Sequence, residues 1–175
     1  YATENNFTGR RLYSAARCLL RRSAAERLVR VADRLEAEGL RLKVYDAYRP
    51  LAVQHELWRL VPDERYVAHP RKGSRHNRGA AVDVTLVDAD GRELEMPTAY
   101  DDFTEAAHRD YAGGTEASRR NRDILAAAME AEGFAGLPTE WWHFDAPGWE
   151  SCRLLDIPLG EVETPPTARK ETSPP

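Results

Sequence analysis

The stretch "AAVDVTLV" (80–87) places a carboxylate, Asp83, inside a run of β-branched and aliphatic residues. Such a run favours a buried strand, because branched side chains pack well on a pleated surface. A carboxylate there is costly unless it is paired or bound to a cation. The alternative is a one-sided strand that turns Asp83 to solvent. Just upstream, "SRHNRG" (74–79) supplies His76, and Gly79 lets the backbone turn before the strand begins.

A second run, "EWWHFD" (140–145), carries Glu140 and His143 among Trp141, Trp142 and Phe144. These aromatics exclude water and so strengthen nearby electrostatics. Residues three apart in a straight strand face opposite sides, so a bulge or bend near Pro138–Thr139 must bring Glu140 and His143 to one site. The plainer reading is an aromatic core strand with a hydrogen-bonded histidine. A catalytic zinc takes three protein ligands and leaves one position open, and histidine and aspartate suit it, so two histidines drawn from His55, His69, His76, His108 and His143 together with Asp83 would make such a set. The same set could make the facial triad of an iron oxygenase, but helices and Glu140 do not suit that framework. Among the other histidines, His55 falls on a predicted helix, His69 has no partner at ligand spacing, and His108 lies in a loop.

With 175 residues the chain fits one domain, and 42% hydrophobic with 31% charged residues is a globular balance. A net charge of −4, with acids interleaving the arginines, argues against nucleic acid. No apolar run approaches the ~20 residues of a membrane span. Ser23-Ala-Ala-Glu26 reads as a capping box opening a helix over 23–38, stopped by Gly39. "LRLKVY" (40–45) alternates as a half-buried strand, and Pro50 opens a helix to about Leu60. Residues 63–79 are loop-like, and Asp88–Gly91 is a turn. A second strong helix is expected over 116–132, with Thr115 as cap and Gly133 as stop, followed by "TEWWHFDA" as a short strand. The order predicts an α+β domain over 1–160 with a mainly antiparallel sheet and flanking helices. The proline- and charge-rich stretch 161–175 reads as a flexible tail. Cys18 and Cys152 allow at most one disulfide, match no zinc spacing, and read as plain thiols.

Five stretches in order carry a family resemblance: "YATENNFTG" (1–9), "DAYRP" (46–50), "SRHNRGAAVDVTL" (74–86), "MPTAYDDF" (96–103) and "EWWHFD" (140–145). The chain resembles the VanX-type D-alanyl-D-alanine dipeptidases, zinc peptidases of the hedgehog/D,D-peptidase fold, from about Tyr1 to Asp145. The resemblance implies that His76, Asp83 and His143 bind one Zn²⁺ and that Glu140 is the catalytic base. It also implies that Arg49 lies beside the metal. Ser74, Asp101 and Tyr1 match residues near the dipeptide, with Asp101 facing its ammonium group. Two departures stand out. The loop between Trp58 and Ser74 is shorter than in the resistance enzymes, and Asp102 stands where an aromatic is common.

Taken without the resemblance, Arg49 reads as a structural ion pair, and Asp101 and Asp102 as a helix or turn cap. The expected reaction is zinc-dependent hydrolysis of a small D,D-dipeptide. The alternatives are a D,D-carboxypeptidase or endopeptidase on longer wall peptides, and a metal-holding domain without catalysis. The expected compartment is the cytoplasm, with export as the alternative.

Overall fold

The structure, a computed structural model, describes residues 1–163. Three helices, α1 (Arg22–Glu36), α2 (Leu51–Leu60) and α3 (Glu116–Ala131), accompany four strands. The strands are β1 (Arg41–Asp46), β2 (Ala81–Val87), β3 (Ala135–Gly136) and β4 (His143–Asp145). They form one antiparallel sheet in the order β1-β2-β4-β3. This is the α+β architecture expected from the sequence.

Every residue of β2 is buried, as a central strand requires. Val82, Val84 and Leu86 join the main core with Phe144, Val31, Leu35, Leu125 and Met129. Alternation then turns Asp83 and Thr85 to the opposite face of the sheet. A second cluster of Tyr13, Tyr48 and Leu159 draws Tyr1 and Leu155 against α2. It ties the first residues of the chain to the wall of the site.

Several local expectations change. Ser23 is not a cap: α1 begins at Arg22, and Arg21 is its flanking residue with no side-chain cap. The start is set from outside, because the Arg21 amide donates to Gly79 O (2.9 Å) and its Nε to Arg78 O (2.7 Å). Pro50 stands just before α2 rather than in its first turn. The aromatic strand shrinks to His143–Asp145, and "TEWW" becomes a turn with Glu140 N on Leu137 O (3.2 Å). That turn supplies the bend that the Glu140–His143 spacing demanded. Thr115 does cap α3, accepting from the Ser118 amide at 3.0 Å. Cys18 and Cys152 are free thiols. The tail expected over 161–175 lies, from residue 164 on, outside the described residues, and Val162 packs on the second cluster. Among the described residues no helix is long and apolar enough to cross a membrane.

Candidate active site

Asp83 of β2 and His143 of β4 are direct cross-strand partners, and the neighbouring pair Val82–Phe144 points into the core. Both site residues therefore share the face away from that core. His76 arrives on a short 3-10 turn, His76–Arg78, which Gly79 ends at φ +62°. That left-handed conformation suits glycine and aims the chain into β2. His143 Nδ1 lies 3.0 Å from Asp83 Oδ1, and His76 Nε2 lies 3.2 Å from His143 Nδ1 and 3.3 Å from Asp83 Oδ1. All three residues are buried.

The outer ring nitrogens reveal the tautomers. His76 Nδ1 is 2.8 Å from Ala47 O, and His143 Nε2 is 2.9 Å from Asp145 Oδ1. Both partners are acceptors, so each neutral ring spends its proton outward and turns a bare lone pair inward. Three acceptors then meet with no hydrogen to share, and only positive charge relieves them. Two imidazoles and one carboxylate fit zinc as a donor set. Burial opposes charge on His143, yet hydrogen bonds to Asp145 and Asp83 push its pKa up to about 10. Asp83, despite burial, is held well below the usual carboxylate range by His76 and His143.

Glu140 stands on the turn before β4, its Oε2 3.8 Å from His143 Nδ1. Burial raises its pKa; His143 opposes the shift and Asp83 reinforces it. Arg49 is buried and held on two sides. Its Nε and Nη2 donate to Asp46 Oδ2 (2.9 and 2.6 Å), and its Nη1 donates to Gln54 Oε1 (2.9 Å). Asp46 Oδ1 in turn accepts from Tyr13 Oη (2.6 Å) and the Ala47 amide (2.9 Å). The guanidinium also lies over the Tyr1 ring at 5.3 Å.

Asp101 has φ +60° and, among the described residues, no other non-glycine residue has positive φ. Such strain persists where surrounding structure enforces it, and it clusters at functional sites. Its Oδ2 accepts from Tyr1 Oη at 3.0 Å, while burial and then the charge of Asp83 push its pKa up to about 7. Ser74 Oγ accepts from the His76 amide at 3.2 Å. All eight site residues expected from the sequence line a single cavity of ≈ 540 Å³. That volume is in the range of small-molecule sites.

The other histidines stay apart. His55 is exposed, His69 packs on Trp58 at 4.6 Å, and His108 is half-buried. Four supporting residues were not foreseen. Asp46 and Gln54 hold Arg49, Asp145 holds His143, and Tyr100 Oη donates to Asp83 Oδ2 at 3.0 Å. Asp145 could have been found by alternation, two residues beyond His143 on the same strand face. The i, i+3 spacing of Asp46 and Arg49 was a weaker signal.

Comparison with known proteins finds relatives among the peptidases. A peptidase family model, M15, described as "D-ala-D-ala dipeptidase", matches residues 1–157. A D-alanyl-D-alanine dipeptidase of Escherichia coli is 41% identical over 155 residues, covering 89% of this chain and 80% of that protein. One from Enterococcus faecalis is 32% identical over 93% of this chain and 87% of its own. One from Streptomyces coelicolor is 33% identical over 82% of each. The chain belongs to the M15 D-ala-D-ala dipeptidase family of peptidases.

Proposed function

We propose that this protein hydrolyses D-alanyl-D-alanine in a zinc-dependent reaction, with Glu140 as general base and Arg49 stabilising the oxyanion. The observation that carries the reading is the convergence of His76, Asp83 and His143 beside Glu140, Arg49 and Asp101 in one cavity. The names of the relatives support the dipeptide as substrate.

His76, Asp83 and His143 would hold the zinc, which would supply the Lewis acidity that makes water nucleophilic near neutral pH and polarises a scissile carbonyl. Glu140 takes the proton of the attacking water and delivers it to the leaving amine. Its raised pKa suits both halves of that transfer. Arg49 stays charged at any working pH, and the Asp46–Gln54 clamp aims its remaining N–H groups before reaction begins. Asp101 offers a counter-charge to the dipeptide's ammonium group, with Tyr1 fixing the carboxylate. Ser74 lines the same cavity and keeps its hydroxyl hydrogen for substrate.

The test is metal stoichiometry measured alongside alanine release from D-Ala-D-Ala, from L-Ala-L-Ala and from a wall pentapeptide. One zinc per chain and turnover of the D,D-dipeptide alone is the expected result. Cleavage of the pentapeptide without the dipeptide would replace the reading with a D,D-carboxypeptidase.

A further inference from the structure

We propose that Arg75 binds the C-terminal carboxylate of the substrate and so makes a free terminal carboxylate a condition of hydrolysis. The inference rests on the dipeptidase reading above and adds to it the residue that reads the far end of the peptide.

A free dipeptide is a zwitterion, and a water-poor cavity needs a counter-charge at each end. Asp101 supplies one. Successive contacts order the site from there: Tyr100, next in the chain, donates to Asp83, Asp83 meets His143, His143 meets Asp145, and Asp145 Oδ2 lies 3.2 Å from Arg75 Nε. Asp101 and Arg75 thus flank the three-ligand cluster from opposite ends of the contact chain, and both line the cavity.

Most other cations at the cavity are committed elsewhere. Arg49 is clamped by Asp46 and Gln54, Arg65 grips Asp63, Lys72 pairs with Glu64, and Arg78 donates to the Cys152 carbonyl. Arg75 is different. Its guanidinium lies over the Trp149 ring at 4.7 Å with Nε 3.2 Å from Asp145 Oδ2, and neither Nη nitrogen makes a hydrogen bond among the described residues. Stacking and the Nε contact hold the plane still, leaving the Nη edge as a preset fork for a planar carboxylate. Arg75 also adjoins Ser74 in the chain, so a hydroxyl donor stands beside the fork.

The competing role is purely structural, with Arg75 serving only to hold Asp145 behind His143. Zinc-loaded wild type, Arg75→Met and Arg75→Lys are compared on D-Ala-D-Ala and on D-alanyl-D-alaninamide, and zinc affinity of each metal-free protein is read by chelator competition. Wild type should prefer the acid. Arg75→Met should raise KM for the acid roughly 10–100-fold, with kcat changing far less, and should erase the preference over the amide. Arg75→Lys should recover part of the preference. If Arg75→Met kept the wild-type preference, the proposal would be overturned, and a fall in zinc affinity alone would then assign Arg75 to supporting Asp145. Wild type cleaving acid and amide equally also overturns it. A wild type that cleaves neither fails the dipeptidase reading itself, and the carboxylate assignment falls with it.

Discussion

Asp83 and His143 face each other across adjacent antiparallel strands, with His143 Nδ1 3.0 Å from Asp83 Oδ1. Two of the three residues of the candidate metal site are therefore a single cross-strand pair. Sheet register alone sets their separation, so little ordering remains when a cation binds. The third ligand, His76, rides on a turn whose neighbour Asn77 donates to Arg49 O at 2.9 Å. The loop that carries the ligand and the segment that carries Arg49 are one assembly.

The outer hydrogen bond of His143 predicts a first outcome. The Asp145 carboxylate, 2.9 Å from Nε2, favours the imidazole proton there, which on the proposed reading leaves Nδ1 free for zinc. Asp145→Ala releases that tautomer and should weaken zinc binding roughly 10–100-fold, the usual cost of losing such a partner. Chelator competition at fixed pH measures it. Unchanged affinity would show that the tautomer is fixed by something else.

Glu140 makes no hydrogen bond to His76, Asp83 or His143, and its Oε2 approaches His143 Nδ1 at 3.8 Å. Glu140→Gln keeps the side-chain shape and removes the base. Zinc stoichiometry should stay at the wild-type value while kcat falls by roughly 10²–10⁴, the range of general acid–base contributions. Metal analysis with single-turnover rates separates the two effects. Retained hydrolysis would assign the proton transfer elsewhere.

Arg49→Lys tests the rigid fork rather than the charge. A lysine ammonium cannot meet Asp46 and Gln54 in the same geometry, so Asp46 is left with a mismatched partner in a buried site. The expected loss is roughly 10²–10³-fold in kcat with a smaller change in KM, as for removal of an oxyanion donor. Full activity in the lysine variant would make Arg49 a structural ion pair.

Local chemistry made much of this legible. The Thr115 cap, the Gly39 and Gly133 stops and the β-branched run around Asp83 act within a few residues, and the structure keeps all of them. Legibility failed where a distant partner decides. The Ser23 box loses to the docking of Arg21 on the Arg78–Gly79 loop. Trp141 and Trp142 look like strand residues, but Trp141 Nε1 donates to Thr98 Oγ1 at 2.9 Å and the pair packs around a turn. Gln54 joins Arg49 to Ala68 O, a connection that no local pattern encodes. At the site, spacing alone left His76, Asp83 and His143 open to plainer readings, because strand register, not sequence distance, brings residues 83 and 143 together.

Asp101 carries the pH prediction. Its folded pKa, about 7, stands above the ordinary value of 3.8. The ionised form is needed to meet a substrate ammonium, so KM for the dipeptide should rise as pH falls below about 7, up to tenfold per unit, and level off above it. Stability runs the opposite way. An unfolded chain ionises Asp101 at lower pH than the folded one, so the folded state binds more protons between about 4 and 7. Stability is thus lost as pH rises through that window and stays lower above it. Asp101→Asn removes the buried charge and, because asparagine tolerates positive φ, fits the same backbone. The variant should gain on the order of 2–4 kcal/mol over wild type at pH 8 and nothing near pH 4, at 1.36 kcal/mol per pKa unit. It should also lose the acid-side rise in KM and bind the dipeptide poorly throughout. Paired denaturation and KM profiles from pH 4 to 8 check both signs, and a variant no more stable at pH 8 than wild type would mean that Asp101 is not held at raised pKa.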